Sequence, residues 1–164
     1  MIADGRDTYM MRGLNGDIIS CWKKCYEVFK DQPKDIIGNF RNTTIDKTCE
    51  AVFKYMVKRT YYRLDDYGVQ MIKSPARLLK DGCGDCKGYT MFIASCLHCL
   101  GIPCIVRFVN FDGGTQYTHV YPVAIDENGG EIPMDACELD SDNRTCLYGY
   151  ARPYSKKKDI VYGR

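Results

Sequence analysis

The sequence predicts an α+β fold, with helices first and an antiparallel sheet after them. Two observations carry the prediction. Apolar residues recur at three- and four-residue spacing as far as Leu100, whereas Cys104 to Ile125 is β-branched and aromatic, in part with a period of two. Between the two regimes stand Gly101, a helix stop, and Pro103, which cannot continue a helix.

The chain has 164 residues, 45% hydrophobic and 27% charged, which suits one core and is short for two. The expectation is therefore a single domain over 1–164. A net charge of +2 gives no electrostatic ground for binding nucleic acid or a membrane surface. No apolar run reaches the roughly 18 residues that span a bilayer, and residues 1–7 lack the apolar centre of a signal peptide. The ten cysteines therefore do not read as a disulfide framework. Cys21, Cys25, Cys49, Cys96, Cys99 and Cys104 fall in apolar-periodic contexts, where a thiol packs as a small apolar group. A reducing, cytoplasmic setting is the expectation.

In chain order, residues 1–15 carry no strong pattern and read as partly disordered or as a docking arm. A helical part over 16–60 follows. Ile18, Cys21, Trp22, Cys25 and Phe29 form one stripe, ended by Pro33 and Gly38. Asn42, Thr43 or Thr44 caps a second helix with Ile45, Cys49, Val52, Met56 and Val57 on one side. Tyr61 to Gln70 is aromatic and charged, with a turn at Asp65, Asp66 and Gly68. Ser74-Pro75 starts a short helix that stops at Gly82. The next helix runs from Cys86 to Leu100, with Tyr89, Phe92, Ile93, Cys96, Leu97 and Leu100 on its buried side. Strands are expected at Cys104 to Phe111, at Thr118 to Ile125, and, after the Glu127-Asn128-Gly129-Gly130 turn, at Glu131 to Met134. Pro122 marks its strand as an edge or as locally irregular. A last strand is placed at Cys146 to Tyr150, within a C-terminal part 146–164 whose Lys156-Lys157-Lys158 run reads as a solvated tail.

The chemistry concentrates in Lys80-Asp81-Gly82-Cys83-Gly84-Asp85-Cys86-Lys87-Gly88-Tyr89-Thr90. Gly82 and Gly84 make a turn, Asp85 is a helix N-cap, and Cys86 opens the helix. A thiol there faces backbone N–H groups that favour the thiolate. His119 and Asp135 follow on strand-like segments. Cysteine at a helix start, then histidine, then aspartate is the chain order of a cysteine-nucleophile triad. The other histidine, His98, lies mid-helix, and Asp126 and Asp112 compete with Asp135 for the third place.

These residues resemble the transglutaminase-like superfamily. The resemblance rests on Gly84-Asp85-Cys86, a helix ending Leu100-Gly101-Ile102-Pro103, then Thr118-His119-Val120-Tyr121 and Pro133-Met134-Asp135. His119 lies 33 residues after Cys86, and Asp135 lies 16 after His119. It covers core motifs over 61–136, and the Ser74-Pro75 helix and Asp81-Gly82 lead-in are similar to bacterial and prophage-encoded members. The resemblance implies a papain-like α+β core, N-terminal helices with the nucleophile helix packed on an antiparallel sheet. It also implies Cys86 as nucleophile, His119 as base and later acid, and Asp135 as the group that orients the imidazole. Two positions depart from the family pattern: Lys87-Gly88 follows the cysteine in place of an acidic or small residue, and Ile132-Pro133-Met134 stands where many members have a Trp. For the oxyanion, the Cys86 N–H is one donor, and Gln70 and Tyr67 are candidates for the second.

Three other chemistries were open. Cys83-Gly84-Asp85-Cys86 is a C-x-x-C pair, but a thiol–disulfide oxidoreductase wants a strand directly before it; a reversible Cys83–Cys86 disulfide that silences the nucleophile is the milder version. Cys83, Cys86, Cys96 and Cys99 resemble a zinc set in spacing. One uninterrupted helix, however, holds the pairs about 15 Å apart at 1.5 Å rise per residue. No cofactor or catalytic metal is called for. The expected function is cysteine-dependent acyl transfer through a thioester on an amide or peptide bond, with water as acceptor (peptidase, amidase or deamidase) or with an amine (transglutamination). A protein or peptide substrate and a phage or host protein partner go with it. The competing class is a structural or binding module with an idle triad.

Overall fold

The structure is a computed structural model that describes residues 8–12, 17–142 and 144–163. Helix α1 (Ile18–Phe29) leads into two short 3-10 turns at Gln32–Asp35 and Ile37–Asn39, then α2 (Ile45–Arg59). Strands β2 (Tyr61–Tyr62) and β3 (Val69–Lys73) precede α3 (Pro75–Asp81), β4 (Cys83–Gly84) and α4 (Cys86–Leu100). After these come β5 (Cys104–Asn110), β6 (His119–Ile125), β7 (Glu131–Pro133) and β8 (Lys156–Tyr162). Strand β1 (Thr8–Arg12) pairs antiparallel with β3, so part of the segment expected to be disordered or an arm is sheet; the rest of 1–15 lies outside the described residues.

The helix boundaries follow the caps. The side chains of Thr44, Ser74 and Asp85 accept backbone N–H groups of the first turn, each worth about 1 kcal/mol. Gly82 and Gly101 close α3 and α4 at φ 65° and 73°, where a Cβ would be strained. Gly84 has a different reason: a Cβ there would sit 2.5 Å from Leu78 Cδ1.

The main sheet has the order β7-β6-β5-β8, antiparallel throughout. Helix α4 packs across it, with Thr90 Oγ1 donating to Val120 O at 3.1 Å. Residues 87–97 of α4 are all buried, so the helix is covered all round rather than on the single expected stripe. α1, α2 and α3 wrap the faces of α4 that the sheet leaves open. Trp22 of α1 is fully buried, stacked on Tyr26 at 5.3 Å and edge-on to Phe108. β6 is central despite Pro122. Its backbone nitrogen faces the side on which β7 ends, and its carbonyl still accepts from Met134 N at 2.9 Å.

The C-terminal expectations are corrected. Cys146 to Tyr150 is not a strand: Cys146 forms an isolated bridge with Leu139, and Gly149 turns the chain at φ 75°. The last strand is β8, and it contains the three lysines read as a tail. Its Arg107↔Asp159 pairing and the packing of Ile160 and Tyr162 on the core fix it beside β5. No helix among the described residues is long and apolar enough to cross a membrane.

Candidate active site

Cys86 is the first residue of α4. The Asp85 carboxylate caps the N–H groups of Lys87 and Gly88 through Oδ1 (3.0 and 3.4 Å) and leaves that of Cys86 outside the cap. His119 is the first residue of β6. The turn at Asp126 to Gly130 folds β7 back along β6, and the chain just past Pro133 then reaches the histidine. There Asp135, buried, receives His119 Nε2 on Oδ2 at 2.7 Å, while its Oδ1 accepts the Cys137 N–H at 3.1 Å. Cys86 lies close enough to bear on the charge of the imidazole. With Nε2 on the aspartate, that leaves Nδ1 for the thiol. Phe111 and Tyr121 pack on the ring at centroid distances of 5.6 and 5.9 Å.

Burial favours neutral His119, but the Asp135 hydrogen bond and the Asp135 and Cys86 charges outweigh it and push the pKa up to about 10. The three residues predicted from sequence are thus brought together. The competitors are not. Asp126 caps the hairpin turn, accepting from Asn128 and Gly130, Asp112 belongs to the loop closed by Asn110, and His98 pairs with Asp31 at 3.3 Å near the far end of α4.

Cys86 and His119 open on a cleft of about 480 Å³. One wall is Asp85, Cys86 and Lys87 with Tyr117 to Val120; the other is the segment from Leu64 to Gln70, with Tyr62 beside it. Gln70 and Tyr67, the candidates for the second oxyanion donor, line it, and so does Tyr62 of the same aromatic segment. Burial first, then the nearby Cys86, Cys137, Asp85 and Asp135, push the Tyr62 phenol up and keep it a donor.

Lys87 was expected to matter only as a departure from a family pattern. Its side chain is buried, its ammonium bonds Asp85 and lies 3.1 Å from Asp65 Oδ2, and its carbonyl accepts from Trp22 Nε1 at 3.2 Å. Asp65 in turn accepts Met71 N at 2.6 Å, so Lys87 ties the two cleft walls together. A lysine within an apolar helix carries no pattern that announces this.

Neither the zinc set nor the oxidoreductase motif assembles. All ten cysteines are free thiols. Cys86 opens α4 while Cys99 donates to Lys30 O at 3.3 Å near its other end, so the four-cysteine zinc set is split. The two-residue β4 contains Cys83 itself, whose carbonyl and sulfur face Lys73 Nζ at 2.9 and 3.9 Å.

The model of the transglutaminase-like superfamily matches residues 33–136, more than half of the chain. The chain belongs to that superfamily. The helices α1 to α4 and the four-stranded antiparallel sheet make it an α+β member. Solved structures give distant likenesses. A proposed cysteine protease from Cytophaga hutchinsonii matches with a TM-score of 0.49 and 13% identity over 94% of this chain and 62% of its own. Calcium-bound LapG of Legionella pneumophila matches with 0.48 and 16% over 79% and 80%. A protein described as a TGase matches with 0.47 and 12% over 82% and 36%. The chain therefore spans less than two thirds of the first and third of these structures. A search of the curated proteins found no match.

Proposed function

We propose that this member of the superfamily is a cysteine-dependent acyl-transfer enzyme acting on an amide or peptide bond, with water as acceptor. The observation that supports it is Cys86 and His119 side by side in an open cleft, with buried Asp135 on the imidazole Nε2. The Cys86 thiolate attacks the carbonyl carbon and forms a C–S bond. The resulting oxyanion takes hydrogen bonds from the Cys86 N–H and the Tyr62 hydroxyl. Collapse breaks the C–N bond, and His119 gives its proton to the departing amine. Water then attacks the thioester carbonyl and His119 takes its proton; the C–S bond breaks, the acid is released, and the Cys86 thiolate is restored beside the imidazolium. Asp135 holds the imidazole by Nε2 throughout. An open cleft suits a protein or peptide chain.

The test is iodoacetamide labelling of the native protein across pH, read peptide by peptide, with His119→Ala alongside. Cys86 should outpace the other nine cysteines at pH 6 and lose that lead in the variant. A Cys86 that behaves like its neighbours in both proteins overturns the reading in favour of a binding module. With an active protein, release of free amine or ammonia identifies hydrolysis, and incorporation of an added primary amine identifies transamidation.

A further inference from the structure

Cys137 lies beside the triad and has no part in the acyl-transfer scheme. One ligand atom each from His119, Asp135 and Cys137 lies within 4.8 Å of the other two. The Cys137 backbone N–H donates to Asp135 Oδ1 at 3.1 Å and ties the two residues together. An imidazole nitrogen, a carboxylate oxygen and a sulfur are the donor types that Zn²⁺ takes, at about 2.0–2.3 Å.

We infer that His119 Nε2, Asp135 and Cys137 form a binding site for Zn²⁺ or a similar soft divalent cation, and that the bound ion silences Cys86. The second half rests on the acyl-transfer reading; the first does not. Three protein ligands leave a fourth position for water. The charges also balance, because one carboxylate and one thiolate neutralise the dication and no net charge is buried. His119 and Cys137 keep part of their surface exposed, while Asp135 is buried.

Silencing follows from the imidazole. Binding displaces the Nε2 proton of the His119 imidazolium and the thiol proton of Cys137, and both go to solvent. The ring is then neutral, with its remaining proton on Nδ1, the nitrogen that faces Cys86. It can donate to that sulfur but cannot take a proton from it. Because binding releases protons, affinity rises with pH. The ion thus sits behind the histidine and leaves the nucleophile itself unligated.

Co²⁺ is the probe, titrated into the full-length chain in metal-free buffer, with thiolate-to-cobalt charge-transfer absorption as the readout. One equivalent should give the band. Cys86→Ser should keep it, and Cys137→Ser should lose it. In parallel, Zn²⁺ should slow alkylation of Cys86 in the parent protein. Cys137→Ser should raise the zinc concentration needed by at least about tenfold, the size of effect expected on losing a ligand or its support. If Cys137→Ser fails to fold, zinc protection of Cys137 itself from alkylation, measured in Cys86→Ser, decides instead. A band lost in Cys86→Ser and kept in Cys137→Ser puts the ion on the nucleophile and overturns the inference, as does absence of binding at one equivalent. The cobalt readout needs no reactive Cys86, so a sluggish Cys86 in metal-free protein sinks only the acyl-transfer reading.

Discussion

Two buried cations, each flanked by two carboxylates, sit on opposite sides of the fold and behave differently. Arg107 on β5 forks to Asp159 of β8 at 2.9 and 3.0 Å and to Glu131 of β7 at 2.8 and 2.9 Å, so one guanidinium links both outer strands of the main sheet. Lys87 lies between Asp85 and Asp65 beside the cleft. The cations are equally hidden, but the side chains of Glu131 and Asp159 are 46% and 23% exposed against 10% and 5% for Asp65 and Asp85. Arginine hydrogen bonds hold Glu131 below its ordinary range and outweigh burial at Asp159. For Asp85 burial wins over Lys87, and its pKa is raised. Composition alone does not tell a sheet clamp from a site support; the water left to the carboxylates does.

The largest effect should come from Lys87→Met. It leaves two dehydrated carboxylates without their cation and should cost about 3–5 kcal/mol in urea unfolding. It should also slow Cys86 alkylation, since the cleft walls lose their link. A loss below 1 kcal/mol, read from the urea midpoint, is incompatible with a buried cluster. Arg107→Met should cost less, about 1–2 kcal/mol, because Glu131 and Asp159 can regain water; a loss equal to that of Lys87→Met erases the distinction. The smallest effect is on acid stability. A carboxylate whose folded pKa is lowered adds stability above its unfolded value, 4.5 for Glu131, and loses it as pH falls through the folded value. A raised carboxyl such as Asp85 has the opposite sign and takes no part in that acid loss. Glu131→Gln should therefore flatten the decline below about pH 4.5 in thermal unfolding; an unchanged slope places the acid sensitivity elsewhere.

What the sequence made legible were features written in local chemistry. Ser74-Pro75, Asp85 and Gly101 bound their helices through caps, and the ordered Cys86, His119 and Asp135 meet as expected. What it hid depends on partners far along the chain. Lys87 looks like a surface residue until Asp65 and Trp22 are placed around it. β8 hides because only Ile160 and Tyr162 face the core, and Asp159 is explained by Arg107, 52 residues earlier. Cys146 to Tyr150 looks like a strand but has no long neighbour to pair with.

The outermost position of β8 has a colloidal consequence. Its outer backbone groups are the ready acceptors for a strand from another molecule, and a flat apolar strand there would recruit one. Lys156, Lys157 and Lys158 instead place three exposed lysines on that strand, the Lys156 ammonium resting on Thr115 O and that of Lys157 on Asp159. Two copies approaching rim to rim meet like charge, and salt screens that repulsion over a distance that shrinks to about 8 Å at physiological strength. The lysines read as a tail thus set how crowded and how salty a solution can be before the sheets begin to join.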